Sequence, residues 1–137
     1  MTTGRFAAVV AALLGVIAAS AHAARAVAVP LTGNWAGDHI AMTMTPYGAR
    51  VTDDCADGSI DGAVVPDRHG RFRAAGTFAV HRPGPQLADE AAPAAAVTRF
   101  DGEVTGDTLV LTITAPGGVP RKATLVRNAH LKQVRCL

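Results

Sequence analysis

The sequence is poor in the features that mark an enzyme. It has no Gly-x-Ser-x-Gly elbow, no His-Glu-x-x-His zinc motif, no phosphate-binding glycine loop and no Cys-x-x-Cys pair. Beyond residue 23, serine occurs only at Ser59 and glutamate only at Glu90 and Glu103. A serine hydrolase would have to use Ser59 beside a turn, so we expect a protein that is not an enzyme and takes no cofactor.

Aromatic residues and an excess of either charge are also scarce. Phe, Trp and Tyr make up 4% of the chain, and Trp35 is the only tryptophan. The formal net charge is +2 at pH 7. Nucleic-acid surfaces combine basic patches with aromatic rings on which bases stack, and anionic membranes attract strongly basic segments. The composition therefore argues against nucleic acid and against a membrane surface as partners.

The one long apolar run lies at the N-terminus. Residues 1–5 carry a single charge at Arg5, residues 6–19 are apolar, and Ala21 and Ala23 flank His22 in a small-x-small cleavage pattern. The run has about 14 residues, fewer than the ~20 that cross a bilayer as a helix. We predict a signal peptide over 1–23 and a single exported domain over 24–137, periplasmic or extracellular. An uncleaved membrane anchor is the alternative.

Both cysteines, Cys55 and Cys136, follow the predicted signal peptide. Because exported proteins meet an oxidising compartment, an even pair of cysteines predicts a disulfide. The bridge would close a loop of about 80 residues, worth roughly 4 kcal/mol in the chain-entropy model. Free thiols and a two-cysteine metal site remain alternatives, although no further ligands stand at zinc spacing.

The predicted domain is rich in short alternating segments separated by turn residues. Ile40, Met42 and Met44 share one face of a strand, and Leu109, Leu111 and Ile113 share one face of another. In the strand 71–81, alternation predicts an inward face of Phe72, Ala74, Gly76, Phe78 and Val80. This pattern is typical of an antiparallel barrel or sandwich, and strand order that follows chain order favours an up-and-down barrel. We predict about eight strands, at 38–45, 49–55, 59–65, 71–81, 97–104, 108–114, 121–127 and 131–136. Residues 82–96, rich in Pro and Ala, are predicted to form a long loop.

Gly33-Asn34-Trp35, which leads into the first predicted strand, resembles the opening of calycin-type barrels, which include lipocalins, avidins and small secreted protease inhibitors. The resemblance implies that Trp35 plugs one end of the barrel. It also implies that an arginine from a late strand, Arg127 or Arg135, packs over the indole in a cation–π contact worth about 1 kcal/mol.

A broader resemblance covers almost the whole predicted domain. Segments 35–40, 54–61, 70–72 and 76–78 and the Cys136-Leu137 end are similar to a family of small exported bacterial proteins of unassigned function. This resemblance implies export, a barrel and a paired cysteine. It transfers no catalytic residue.

Three polar residues are candidates for contact with a ligand or partner. His39 follows Asp38 and stands near Trp35, at the expected rim of the barrel; a structural hydrogen bond to a loop is the alternative role. Arg71 and Arg73 share one strand face and form a basic edge, for which a solvated barrel exterior is the alternative.

No metal is expected. His39, Met42 and Met44 include ligand types that suit Cu(I), but strand alternation places His39 on the face opposite the methionines. The aspartates around Cys55 offer oxygen ligands for Ca²⁺, but their spacing lacks a dedicated loop signature and aspartate is common in turns.

These observations favour a non-catalytic binding protein of the bacterial envelope. In one version it blocks a protein partner, with the 82–96 loop as the inserting element, as small protease and lysozyme inhibitors do. In a second it carries a small apolar ligand inside the barrel, and in a third it is an envelope structural or stress protein. Bulky inward residues such as Phe72, Phe100 and Leu111 favour a filled interior and therefore the first version.

Overall fold

The computed structural model describes residues 27–132 except 83, 86 and 93, together with residues 134 and 136. The predicted signal peptide and Arg135 lie outside the described residues. Within the described part, the chain forms eight strands and no helix: β1 Gly33–Gly37, β2 Ile40–Thr45, β3 Gly48–Asp53, β4 Ala56–Asp61, β5 Arg71–Val80, β6 Ala96–Thr105, β7 Thr108–Thr114 and β8 Arg121–Arg127. None of these residues therefore builds an apolar helix of membrane-crossing length.

The strands close into an up-and-down antiparallel barrel. Each strand pairs with the next in the chain, and β8 returns to pair with β1. The predicted fold class is thus confirmed. Closure removes the two open edges that a meander of this length would otherwise present to other chains.

Inward side chains from all eight strands meet in one apolar cluster. The alternation predicted for β2 and β7 holds, since every second residue in each strand is buried. The interior of an eight-stranded barrel is just wide enough for side chains to fill it or for one small ligand. Here large side chains occupy its middle, among them Trp35, Met42, Val51, Ile60, Phe72, Phe100, Leu111 and Leu125.

The first strand differs from the prediction. Residues 33–37 form a strand of their own, and the chain reverses at Asp38 and His39 into β2. Both turn residues have positive φ, 47° and 67°, as a two-residue hairpin turn whose twist matches its strands requires. Aspartate and histidine enter this region more readily than most residues. His39 therefore lies in a turn and not on a strand face.

Two further strand predictions were wrong in detail. Segment 59–65 pairs only as far as Asp61, because the chain turns away at Gly62, where φ is +88°. The segment predicted over 131–136 has no strand among its described residues. Since β8 already pairs with β1, the barrel offers no free neighbour there. Val80, expected inside the barrel, is exposed at the end of β5.

The disulfide is confirmed. Cys55 and Cys136 are bonded, with their Cα atoms 5.0 Å apart. β8 ends at the opposite end of the barrel from the turn at Asp54 and Cys55, so the tail after Arg127 must run back along the barrel. The Val134 amide donates to the Asp54 carboxylate at 3.2 Å, which adds a second link between the tail and the same turn.

The barrel has two distinct ends. The disulfide end carries the turn at residues 38–39, the turn at 54–55, the long connection 81–95 and the β7–β8 turn at 115–120. The Trp35 end carries the incoming chain at 27–32, the turn at 46–47, the connection 62–70 and the turn at 106–107. Val64 is buried at the Trp35 end, where its carbonyl accepts a hydrogen bond from the Leu31 amide at 2.8 Å.

The seam between β1 and β8 is short. Only Trp35 with Arg127 and Ala36 with Val126 are paired along it. A side chain extends the seam, because the Asp38 carboxylate accepts a hydrogen bond from the Thr124 amide at 2.7 Å. Gly37 lets the two backbones approach here: a Cβ at this position would lie 2.2 Å from the Thr124 carbonyl oxygen.

We expect Gly37→Ala to destabilise the barrel by about 3 kcal/mol, because the added methyl group would push β8 away from β1. Urea unfolding followed by the fluorescence of the single tryptophan measures this. Gly118→Ala is the control, since its new Cβ would meet nothing nearer than 3.4 Å. Equal midpoints for the two variants would contradict the proposed role of Gly37.

Candidate binding site at the disulfide end of the barrel

The residues implied by the calycin resemblance lie at the Trp35 end. Trp35 is 1% exposed, and the guanidinium carbon of Arg127 lies 4.2 Å from the centre of its ring. Arg127 also donates to the Thr32 carbonyl at 3.0 Å and pairs with Asp107 at 3.2 Å. Gly33, whose φ is +98°, lies beside Arg127: a Cβ on Gly33 would be 3.6 Å from the guanidinium. Arg127 thus covers the indole of Trp35 at this end of the barrel.

Arg71 and Arg73 lie on the outer wall of the barrel. The Arg73 guanidinium donates to Asp101 at 2.6 Å and lowers the pKa of that carboxyl, with a second contribution from Arg99 at 2.7 Å. The backbone amide of Arg71 donates to Asp67 and lowers the pKa of that carboxyl too. Both arginines are largely exposed, as expected for a polar exterior.

The fold does not bring His39 close to Arg71 and Arg73. It lies at the disulfide end, where its Nδ1 is 2.9 Å from the Asp54 carboxylate. A second pair flanks the same turn, because His81 Nε2 is 2.8 Å from Asp57. The His81 amide also donates to the Cys55 carbonyl. Both histidines thus help fix the turn that carries the disulfide.

The candidate metal ligands are dispersed. Among the described residues, no three His, Cys, Asp or Glu side chains come close enough together to hold a metal ion. The aspartates around Cys55 are engaged separately: Asp53 with Arg121, Asp54 with His39 and Asp57 with His81.

An ion pair that the sequence analysis missed spans the mouth at the disulfide end. Asp53 is 8% exposed, and its carboxylate pairs with both terminal nitrogens of Arg121, the first residue of β8. Asp53 is on β3 and Arg121 on β8, and in the closed barrel β2 and β1 lie between these two strands. Asp53 alternates with the buried residues Ala49 and Val51, so the sequence did signal a carboxylate facing inwards.

A shallow hollow of about 400 Å³ lies at this mouth. Phe78 and Ile113 form its apolar lining, with Val80 and Val119 towards the outside and the ion pair of Asp53 on its polar side. The hollow is open to solvent and stops at the filled core, where Ile113 is 4% exposed.

Large apolar side chains are exposed at both ends of the barrel. Those at the Trp35 end are Val27, Val29, Tyr47, Val65 and Val126. We define the apolar rim as Val80 at the end of β5, Leu87 in the long connection, Val97 at the start of β6, Val119 in the β7–β8 turn and Val134 in the tail. Val119 is 91% exposed and Leu87 is 71% exposed. Scattered exposed apolar residues are normal, but here Val80 and Val119 line the same hollow, which marks this end as a candidate contact surface.

The loop predicted at 82–96 belongs to this rim. It leaves the barrel after β5 and returns into β6 at Ala96, with one tight turn in which the Glu90 amide donates to the Leu87 carbonyl at 3.0 Å. An ion pair between Arg82 and Glu90 at 3.7 Å spans this turn. Leu87 is therefore presented outwards on a locally closed loop.

Comparison with family models, with curated proteins and with solved structures finds no match for this chain. The assignment of a site therefore rests on the geometry.

Replacing Arg121 tests the ion pair at the mouth. We expect Arg121→Met to destabilise the protein by about 2 kcal/mol, because the nearly buried Asp53 carboxylate would keep, from the described part of the chain, just the Asp54 amide as a donor. The neighbouring Lys122→Met is the control; Lys122 forms no ion pair among the described residues and should change stability by less than about 0.5 kcal/mol. Equal urea midpoints would contradict a structural role for the pair.

Proposed function

We propose that this protein is an exported, non-catalytic binding protein that acts on a protein partner, in the manner of a small inhibitor, through the apolar rim. The observation that carries the proposal is that the exposed Val80 and Val119 line one hollow at the disulfide end, where Leu87 is also exposed on the long connection. Loops held by a rigid scaffold commonly bind partners, and exposed apolar patches commonly mark interfaces.

The filled interior supports a partner outside the barrel. Phe100, Leu109 and Leu111 are each fully buried in the middle of the cluster. A ligand of drug-like size would need several of these side chains to move, and densely packed cores resist such changes. The surface that remains for recognition is the outside of the barrel and its rim.

Export is the second part of the proposal. The Cys55–Cys136 disulfide supports it, since such bonds persist mainly in oxidising compartments. The signal-peptide pattern over residues 1–23 points the same way. The place of action is then the periplasm or the medium.

A rim variant tests the proposed interface. The wild type, the double variant Leu87→Asp with Val119→Asp, and a control variant would each be immobilised and exposed to the host's exported proteins. Two carboxylates in the rim should reduce capture of the specific partner at least tenfold, because buried charges without partners are costly at an interface. Bound proteins are quantified by mass spectrometry, and the partner's activity is assayed with and without the wild type.

Tyr47→Asp is the matched control, because Tyr47 is 86% exposed but lies in a turn at the Trp35 end. It should capture the partner as the wild type does. If every captured protein binds the wild type and the double variant equally, the rim is not the interface and the proposal fails.

A carrier of a small apolar ligand is the second candidate, and the hollow lined by Phe78 and Ile113 is the observation that favours it. Mass spectrometry of the protein purified from its host separates the two. We expect the native mass to equal the denatured mass, with a chain that starts at Ala24 and lacks two hydrogens. A small molecule present only in the native spectrum would favour the carrier, and a chain starting at Met1 would contradict cleavage.

A further inference from the structure

Strand β6 extends past its neighbour β7. On one side, β6 pairs with β5 as far as Ala96, which faces Phe78. On the other side, its pairing with β7 stops at Arg99, which faces Thr114. Residues 96–98 therefore belong to a sheet on one side only. A closed barrel has no edges in principle, but this overhang restores a short one.

The free side of the overhang exposes the backbone of Val97. The Val104 amide donates to the Gly70 carbonyl, just before β5, so the backbone groups of even-numbered β6 residues point towards β5. Those of odd-numbered residues point towards β7, because neighbouring residues in a strand alternate in direction. The N–H and C=O of Val97 therefore face the side where β7 has ended.

The sequence keeps this side open. Continuing the register beyond Arg99 and Thr114 would place Pro116 opposite Val97. Proline has no N–H to donate to the Val97 carbonyl. The chain instead turns at this point, where the Gly118 amide donates to the Ala115 carbonyl at 3.0 Å. Among the described residues, neither backbone group of Val97 has a hydrogen-bond partner.

A notch beside the overhang has room for another chain. It measures about 700 Å³ and lies between the start of β6 and the β7–β8 turn. Its walls are built largely from small residues, among them Ala75, Ala115 and Gly117. The Val97 side chain is 71% exposed beside it. We call this the β6 notch.

The charge of the β6 notch is positive. Among the residues that the structure describes, its charged lining consists of Arg73 and Arg99. Both use their Nε atoms on the single carboxylate of Asp101, and neither has another carboxylate partner among the described residues. Two guanidinium groups against one carboxylate leave one positive charge and free terminal N–H groups to receive a second carboxylate.

We propose that the β6 notch binds an extended, acidic peptide segment of the protein partner, which adds to β6 as a further strand. The backbone of Val97 would supply hydrogen bonds, its side chain an apolar contact, and Arg73 and Arg99 the preference for acidic residues. Strand addition of this kind gains affinity from the main chain and specificity from alternate side chains. This inference rests on the proposed function, since Val97 belongs to the apolar rim.

Val97→Pro tests the backbone contact directly. It removes the outward N–H, yet it breaks no bond of the β5–β6 ladder, and proline is tolerated on free strand edges. The probe is a fluorescent, capped hexapeptide of alternating valine and glutamate, followed by fluorescence anisotropy at low salt. We expect the wild type to bind it, Val97→Pro to lose at least tenfold in affinity, and Val97→Thr, which keeps the N–H, to stay within about threefold. The corresponding valine–lysine peptide should not bind.

Hydrogen exchange on the wild type supplies the measurement that does not depend on a variant folding. The Val97 amide should exchange quickly in the free protein and slow at least tenfold when the acidic peptide is added. The Thr98 amide, which faces β5, should exchange slowly in both states. A Val97 amide that is already protected, or is unaffected by saturating peptide, would overturn the inference.

The two proposals fail separately. If the acidic peptide does not bind, or Val97→Pro binds it as well as the wild type, strand addition is wrong. The apolar rim would still stand if the double variant of Leu87 and Val119 loses the host partner. If that variant keeps the partner while the peptide binds at Val97, the proposed function is wrong and the β6 notch is a separate peptide site.

Discussion

The structure depends on a narrow seam between its first and last strands. Two residue pairs join β1 to β8, and the Asn128 amide, just after β8, donates to the Asn34 carbonyl at 2.7 Å. A barrel that opened there would expose the edges of both strands. Two side chains reinforce the seam from opposite ends. Arg127 packs over Trp35 and donates a hydrogen bond to the Thr32 carbonyl of the incoming chain. The Asp38 carboxylate accepts a hydrogen bond from the Thr124 amide. Gly37 has no Cβ and so lets the backbones of β1 and β8 approach each other. The closure of the sheet therefore depends on this glycine and on the side chains of Arg127 and Asp38.

The regular part of this fold was readable from the sequence because alternation and burial coincide. β7 was predicted with its observed bounds, and the inward faces of β2 and β6 follow their alternating residues. β1 was missed as a separate strand for a physical reason. It is five residues long with glycine at both ends, so it has too few side chains to show a period. Its turn, Asp38-His39, lacks the glycine that usually marks a two-residue hairpin.

The candidate site was less predictable, because exposure and register are properties of the assembled sheet. A lone valine in a sequence does not show which way it points, and Val80 was expected inside but lies at the mouth. Only one half of the Asp53 ion pair could be predicted from the sequence. Asp53 alternates with buried residues, but its partner Arg121 is 68 residues away in the chain. The significance of Pro116 depends on the β6–β7 register, which no local pattern gives.

The filled core and the candidate interfaces are linked through the geometry of the barrel. Side chains large enough to fill the barrel leave little space for a ligand inside, so recognition has to use the ends and the wall. At the Trp35 end, Arg127 covers the indole. At the disulfide end, β5 and β6 are longer than the neighbouring strands β4 and β7. Val97 lies past the last β6–β7 pair and Val80 past the last β5–β6 pair, and both side chains are exposed. Unequal strand lengths thus place the exposed side chains of Val80 and Val97 and the unpaired backbone of Val97 at the same end of the barrel.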